Sequence, residues 1–184
     1  MLQNEDQIIE RIQAGEDGLF DLLVGEYQDR LASFVLRTLG DRDGARDVCQ
    51  ESFLKAWKAI GRFRGEARFS TWLFTIARRE ALHHRRRAGR RQEEDWEPHQ
   101  DPPAERGNAG DPVAQARLAE CLARLPEAQR AALHLHYLEA RDVSEIAAII
   151  GRAEGTVKSD LARGRETLRK ILEDETQGAR HVPA

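Results

Sequence analysis

The chain has only two cysteines in 184 residues, Cys49 and Cys121, far apart and without metal-ligand spacing. That excludes a disulfide framework and a zinc site, and it fits a reducing compartment. No apolar run approaches the ~20 residues of a membrane span. The opening stretch "MLQNEDQIIERIQAGEDGLF" carries acids where an export signal needs a basic start. The expectation is a cytoplasmic protein, neither exported nor inserted in a membrane. Asp, Glu and His are nowhere clustered at metal-binding spacing: His134 and His136, two apart, point to different sides of a helix, and His83 and His84 sit among arginines. No catalytic residue, metal or cofactor is predicted, and an enzyme such as a nuclease is the weakest reading.

Strand alternation is also missing. Apolar residues instead recur at helical spacing: Ile8 and Ile12; Leu19, Leu22 and Leu23; Leu31, Val35, Leu36 and Leu39; Ala45, Cys49, Phe53, Ala56 and Ile60. Gly15, Gly40 and Gly61 fall where left-handed residues close helices, and Ser70 where an N-cap opens one. The fold class is therefore all-α: two small helical domains, residues 1–91 and 112–174, joined by a linker over 92–111 and followed by a polar tail, 175–184. The linker is expected to be flexible, because its acids, prolines and glycines leave little to bury.

A generic basic footprint is lacking too, since the formal net charge is −3. The average conceals a segregation. Arg62 to Arg91 holds ten arginines against Glu66 and Glu80, whereas Gln92 to Asp111 holds seven acids against Arg106 alone. In "FSTWLFTIARREALHHRRRAGRR" a core-like turn runs unbroken into arginine. Trp72, Leu73, Ile76 and Ala77 can pack inward, while Thr71, Thr75, Arg78, Arg79, Leu82 and Arg86 share another face. Phe69 and Trp72 beside such charges form a stacking platform for a single-stranded nucleic acid. Against this stands a core role for Phe63, Phe69 and Trp72, with the arginines a solvated helix end favoured by the helix dipole.

The preceding helix, Gly44 to Ile60, has its core stripe at Ala45, Cys49, Phe53, Ala56 and Ile60 and a second face of Asp47, Gln50, Glu51, Leu54 and Lys58. Two faces suggest two partners, the helix's own core and something else.

In "DVSEIAAIIGRAEGTVKSDLARGRETLRKIL", Val143, Ile146, Ala147 and Ile150 line a short helix, Gly151 turns the chain, and Val157, Leu161 and Leu168 line the next. This is the layout of a helix-turn-helix, with Thr156, Ser159, Arg163 and Lys170 on the opposite face and Lys158 and Arg165 on its flanks. A plain helical hairpin with a charged solvated face fits the periodicity as well, and Asp160, expected on or near the groove-facing side, would repel phosphate.

The segments "DVCQESFLKAWKAIGRFRGEARFSTWLFTIARREALHHRRR" and "LARLPEAQRAALHLHYLEARDVSEIAAIIGRAEGTVKSDLARGRETLRK" resemble the two domains of bacterial extracytoplasmic-function sigma factors. The resemblance covers nearly the whole chain. It implies a transcription initiation factor that binds core RNA polymerase at its clamp helices and flap, with Asp47, Gln50, Glu51 and Trp57 matching the docking helix, joined by Leu54 and Lys58 of the same face. It implies that Phe63 to Arg79 opens the promoter element nearest the start site, holding bases of the melted non-template strand in a pocket of the loop "RGEARFS", Arg64 to Ser70, and the helix after it. The DNA contacts expected there are Phe63, Arg64, Phe69, Ser70, Thr71, Trp72, Thr75, Arg78, Arg79 and Arg86. The helix from Glu154 to Arg165 would read the upstream element in the duplex, with Glu154, Thr156, Lys158, Ser159, Arg163 and Arg165 in contact. The acidic linker would thread toward the RNA-exit path, and an anti-sigma factor is an expected partner.

Four residues depart from the resemblance. Arg46 replaces a frequent acid, which is expected to change the strength or regulation of polymerase docking; Arg79 replaces a common asparagine, which is expected to make the minus-ten preference unusual; Asp160 and Gly164 replace residues often basic and alanine, so upstream recognition is expected to be altered. The competing reading is a free-standing helix-turn-helix regulator whose first domain dimerises or binds a ligand.

Overall fold

The computed structural model describes residues 4–92 and 112–179, and every regular element among them is helical. The stretch 93–111, most of the expected linker, lies outside the described residues. The chain divides into two compact units, Met1–Pro98 and His99–Ala184.

The first unit holds α1 (Glu5–Gln13), α2 (Phe20–Leu39), α3 (Arg42–Ala59) and α4 (Phe69–Gln92). Between α2 and α3 the chain needs two residues. Gly40, at φ +77°, closes α2 with its N–H on the Leu36 carbonyl, and the Asp41 carboxylate then caps α3 by accepting from the Asp43 and Gly44 amides. On α2, Phe20, Leu23, Tyr27, Leu31, Phe34, Val35 and Thr38 are buried at helical spacing. They meet Phe69, Leu73, Phe74, Ala77 and Ala81 of α4, with the Phe34 and Phe74 rings 5.2 Å apart.

α3 buries small residues: Gly44, Ala45, Val48, Ser52 and Ala56. The inward stripe therefore differs from the one expected, with Cys49 and Phe53 only half-buried. Small side chains let helices approach. At Gly44 the approach is so close that a Cβ would stand 2.6 Å from His84 Cε1 of α4. Burial pushes the Cys49 thiol up to about 12, so it stays protonated at neutral pH.

Two expected helix signals are corrected. Gly61 does not close α3 in a left-handed turn: Ile60, at φ −61°, leads straight into a 3-10 turn, Ile60–Arg62, without reversal of hand. Ser70 is no cap either. The Arg68 carbonyl accepts from the Trp72 amide, which makes Arg68 the entry residue and leaves Ser70 buried in the first turn of α4.

The second unit holds α5 (Pro112–Ala123), α6 (Glu127–Tyr137), α7 (Val143–Ile150) and α8 (Glu154–Ala179). α7 opens on a reciprocal capping box between Asp142 and Glu145 and closes on Gly151 at φ +66°. Its Ile146, Ile149 and Ile150 pack with Val157 and Leu161 of α8 and with Ala131, Ala132 and Leu135 of α6. α8 continues through residues 175–179, where the sequence reads as tail. Glu and Gln there are adequate helix formers, and no proline intervenes before Pro183.

Ala140, in the connection from α6 to α7, stands at φ +50°. The left-handed conformation costs an L-residue about 1–2 kcal/mol, whereas Gly there costs roughly 0.4–1 kcal/mol through the unfolded chain. Ala140→Gly is therefore expected to raise the stability of this domain by about 0.5–1 kcal/mol, read as a higher midpoint in urea unfolding.

Candidate docking face and nucleic-acid interface

α3 separates its faces cleanly. Asp47, Gln50, Glu51, Leu54, Trp57 and Lys58 are all exposed, Leu54 by 43% and Trp57 by 44%. Apolar side chains of that size left in solvent are the informative feature. They border a cleft of about 390 Å³ lined also by Asp17, Phe20, Asp21 and Val24. Those four were not anticipated, because they belong to α2 and, for Asp17, to the 3-10 turn before it, and nothing in their spacing announces a shared wall. Lys55 ties the base of this face to α4, with Nζ 2.6 Å from Glu80 and 3.5 Å from Glu51. Its hydrogen bond to Glu80, reinforced by Glu51, holds the ammonium above the ordinary lysine range.

After α3, Phe63 is half-buried, its ring 5.2 Å from Trp72 and 5.9 Å from Phe69. Residues 64–68 are all exposed, and Gly65 turns them at φ +70°. Arg64 and Glu66 stand 3.9 Å apart with both side chains mostly in solvent.

The structure divides the expected DNA contacts. Phe69, Ser70, Thr71 and Arg78 are buried, Phe69 at 1% and Arg78 at 6% exposure. Phe69 is therefore core rather than platform, since its ring also meets Tyr27 at 5.7 Å. Arg78 points inward because it lies one residue after Ala77 and one helical turn after Phe74, both fully buried. Phe63, Trp72 and Thr75 are half-buried, and the Thr75 hydroxyl donates to the Thr71 carbonyl at 2.8 Å. Arg64, Arg79 and Arg86 are exposed. Arg79, Arg86 and Arg87 follow at helical spacing and form one cationic stripe, with His83 exposed on the same face.

Arg79→Ala alone is accordingly the clean variant. It is expected to leave the unfolding midpoint unchanged and to flatten the salt dependence of single-strand binding by about 0.7 in log–log slope, the loss of one phosphate contact. Titrating a single-stranded oligonucleotide against the protein at several salt concentrations measures this.

In the second unit, Glu154, Thr156, Lys158, Ser159, Arg163 and Arg165 are all exposed. At about 100° per residue, Thr156, Ser159 and Arg163 share the face opposite Val157 and Leu161, whereas Glu154, Lys158 and Arg165 lie to one side. Arg165 leaves the group: its Nη1 donates to the Tyr137 hydroxyl at 3.3 Å and lines an apolar groove of about 410 Å³ with Leu118, Leu138 and Leu172.

Two departures read differently in three dimensions. Asp160 does not face the groove of DNA; it is buried, and its carboxylate accepts from Arg152 at 2.9 Å. Gly164 is an interior contact, where a Cβ would sit 3.0 Å from Leu133 Cδ1. Both positions therefore belong to the interior of this domain. Arg46 and Arg79 are exposed.

Among the described residues no group of His, Cys, Asp and Glu could hold a metal, and no helix is long and apolar enough to cross a membrane.

Among the described residues the two units thus define an all-helical protein with an exposed apolar face and an arginine stripe on one domain and a helix-turn-helix on the other. Residues 23–91 match the family described as Sigma-70 region 2, and residues 115–168 match Sigma-70, region 4. The chain is 35% identical over 184 residues to the RNA polymerase sigma-H factor of Pseudomonas aeruginosa, covering 93% of this chain and 95% of that one. It is 37% identical over 179 residues to the ECF RNA polymerase sigma-E factor of Salmonella typhimurium, covering 90% and 93%. Among solved structures it resembles the sigma factor RpoE in complex with the anti-sigma factor NepR from Bartonella quintana, at a TM-score of 0.76 and 28% identity over 84% of this chain and 96% of that one.

The chain belongs to the sigma-70 family. Within it the protein is an alternative sigma factor of the extracytoplasmic-function group, which directs RNA polymerase to promoters; its partners are core RNA polymerase and promoter DNA. The free-standing regulator is set aside, because the first domain matches Sigma-70 region 2.

Proposed function

We propose a division of labour among the parts of this sigma factor. Residues 1–91 dock on the polymerase clamp helices through Asp47, Gln50, Glu51, Leu54, Trp57 and Lys58, and they open the promoter element nearest the start site. The loop 64–68, with Phe63, Trp72 and Thr75 beside it, receives unstacked bases of the non-template strand, and Arg79 and Arg86 hold its phosphates. Unstacking costs a few kcal/mol, which pocket contacts and aromatic stacking offset. Residues 112–174 read the upstream element in the major groove with Thr156, Ser159 and Arg163, flanked by Glu154 and Lys158. Arg165 and the apolar groove beside Tyr137 suit the polymerase flap.

The observation that carries this reading is the arrangement on α3 and α4, where a wet apolar docking face and a cationic stripe with an exposed loop stand on one shared core. The protein supplies binding and strand separation, with no catalytic step of its own, and works in the cytoplasm. An anti-sigma partner is proposed from the likeness to a sigma factor solved with one.

Run-off transcription from a pool of genomic promoter fragments, with and without this protein on purified core polymerase, tests the whole. New start sites sharing two spaced upstream elements are expected. Tight duplex binding by the protein alone, without new transcripts, would overturn it.

A further inference from the structure

We infer that Gln13, at the end of α1 and ahead of the region 2 match that begins at residue 23, is a positioning residue for the base-reading loop. The inference rests on the assignment of residues 64–68 to base reading.

The Gln13 side-chain amide donates to the Ile60 carbonyl and to the Phe63 carbonyl, each at 2.8 Å. A carboxamide nitrogen has two hydrogens, so both are spent on one turn. That turn ends α3 without a left-handed residue, so these two carbonyls are open to a side-chain donor. The first of the two also accepts from the Phe63 amide at 3.0 Å, so the clamp grips both ends of the 3-10 turn.

Phe63 leaves the turn in extended conformation, and the exposed loop 64–68 begins at the next residue. At its far end the loop is anchored by burial of Phe69 and by the Arg68 carbonyl, which starts α4. At its near end the anchors are the Phe63 ring against Trp72 and the two bonds from Gln13. A recognition pocket must be held to within about 0.5 Å to discriminate among bases. Gln13 is itself exposed, so it adds little to the core and much to where the loop sits.

The test uses holoenzyme assembled from full-length protein and core polymerase, challenged with single-stranded oligonucleotides carrying six randomised bases and sequenced before and after selection. Gln13→Glu is isosteric but replaces both donors by acceptors facing carbonyls. It is expected to lower enrichment of the preferred hexamer over single-base variants by about tenfold, the scale of one lost hydrogen bond, with polymerase pull-down and unfolding midpoint unchanged. Gln13→Lys, which keeps N–H donors on a longer stem, is expected to retain most of the discrimination. Full discrimination by Gln13→Glu, with loss of it in Arg64→Ala/Glu66→Ala, would overturn the role of Gln13 and leave the loop assignment standing. Full discrimination by the loop variant as well would overturn both. Equal loss in Gln13→Glu and Gln13→Lys, or a lowered midpoint, would reduce Gln13 to a structural residue and overturn the inference.

Discussion

Phe69→Ala is expected to unfold the first domain at temperatures where the natural chain is intact. The ring is 1% exposed and lies 5.7 Å from Tyr27, 5.9 Å from Phe63 and 5.7 Å from Trp72. Its removal strips three rings of a partner and leaves a cavity that α2 and α4 cannot close without moving Leu73 and Phe74, both fully buried. Buried Phe to Ala costs about 3–5 kcal/mol. Against a total of roughly 5–15 kcal/mol, that is a large share, and at ~4–8 °C per kcal/mol for a domain of this size the midpoint falls by more than about 10 °C. Tryptophan emission can follow it, since Trp57 and Trp72 lie in this domain. Phe69→Leu should lose less than half as much, because part of the volume is kept. An unchanged midpoint with selective loss of single-strand binding would instead make the ring a contact surface and refute the packing account.

The second large effect is the reverse: function lost with the fold intact. Leu54→Ala combined with Trp57→Ala removes two exposed apolar side chains from the outer face of α3. Surface truncations usually change stability by less than about 0.5 kcal/mol, so melting should be unaltered. Aromatic anchors at an interface commonly carry 2 kcal/mol or more each, and about 3 kcal/mol for the pair corresponds to roughly 100-fold weaker binding of core polymerase. Competition for core polymerase against labelled natural protein measures it. Affinity within about twofold of the natural chain would return this face to ordinary solvated surface and move the docking site elsewhere.

The two variants sit only a dozen residues apart, and nothing in their residue types separates them. Phe69 and Trp57 are both aromatic, both on helices, both near charge. Periodicity reached further for α2, whose long regular stripe allows one orientation, than for α4. There the apolar residues Phe69, Trp72, Leu73, Phe74, Ile76 and Ala77 crowd more than one face, so several helix rotations bury a similar area. That ambiguity is why Arg78 reads as exposed and is buried, while Arg79 beside it is exposed.

Small residues misled in the same way. On α3 the inward positions are Ala45, Val48, Ser52 and Ala56, so the larger Cys49 and Phe53 drew the expected stripe to one side. On α8, Asp160 lies about 60° from Val157 by helical geometry, close enough to turn inward once Arg152 offers a partner at 2.9 Å. A charge looks like surface in one dimension until its counter-ion is found in three.

The sequence by itself determined the helical class, the two-domain layout, the outward face of α3 and the opposed charge fields, because each of these is set by local spacing and composition. Only the tertiary structure decided which aromatic is core and which is wet, which arginine of an adjacent pair is exposed, that Asp160 and Gly164 face inward, and that Gln13 grips a turn starting 47 residues away. Those depend on which helix packs on which, and side chains distant in the chain settle that together by excluding water from one shared core.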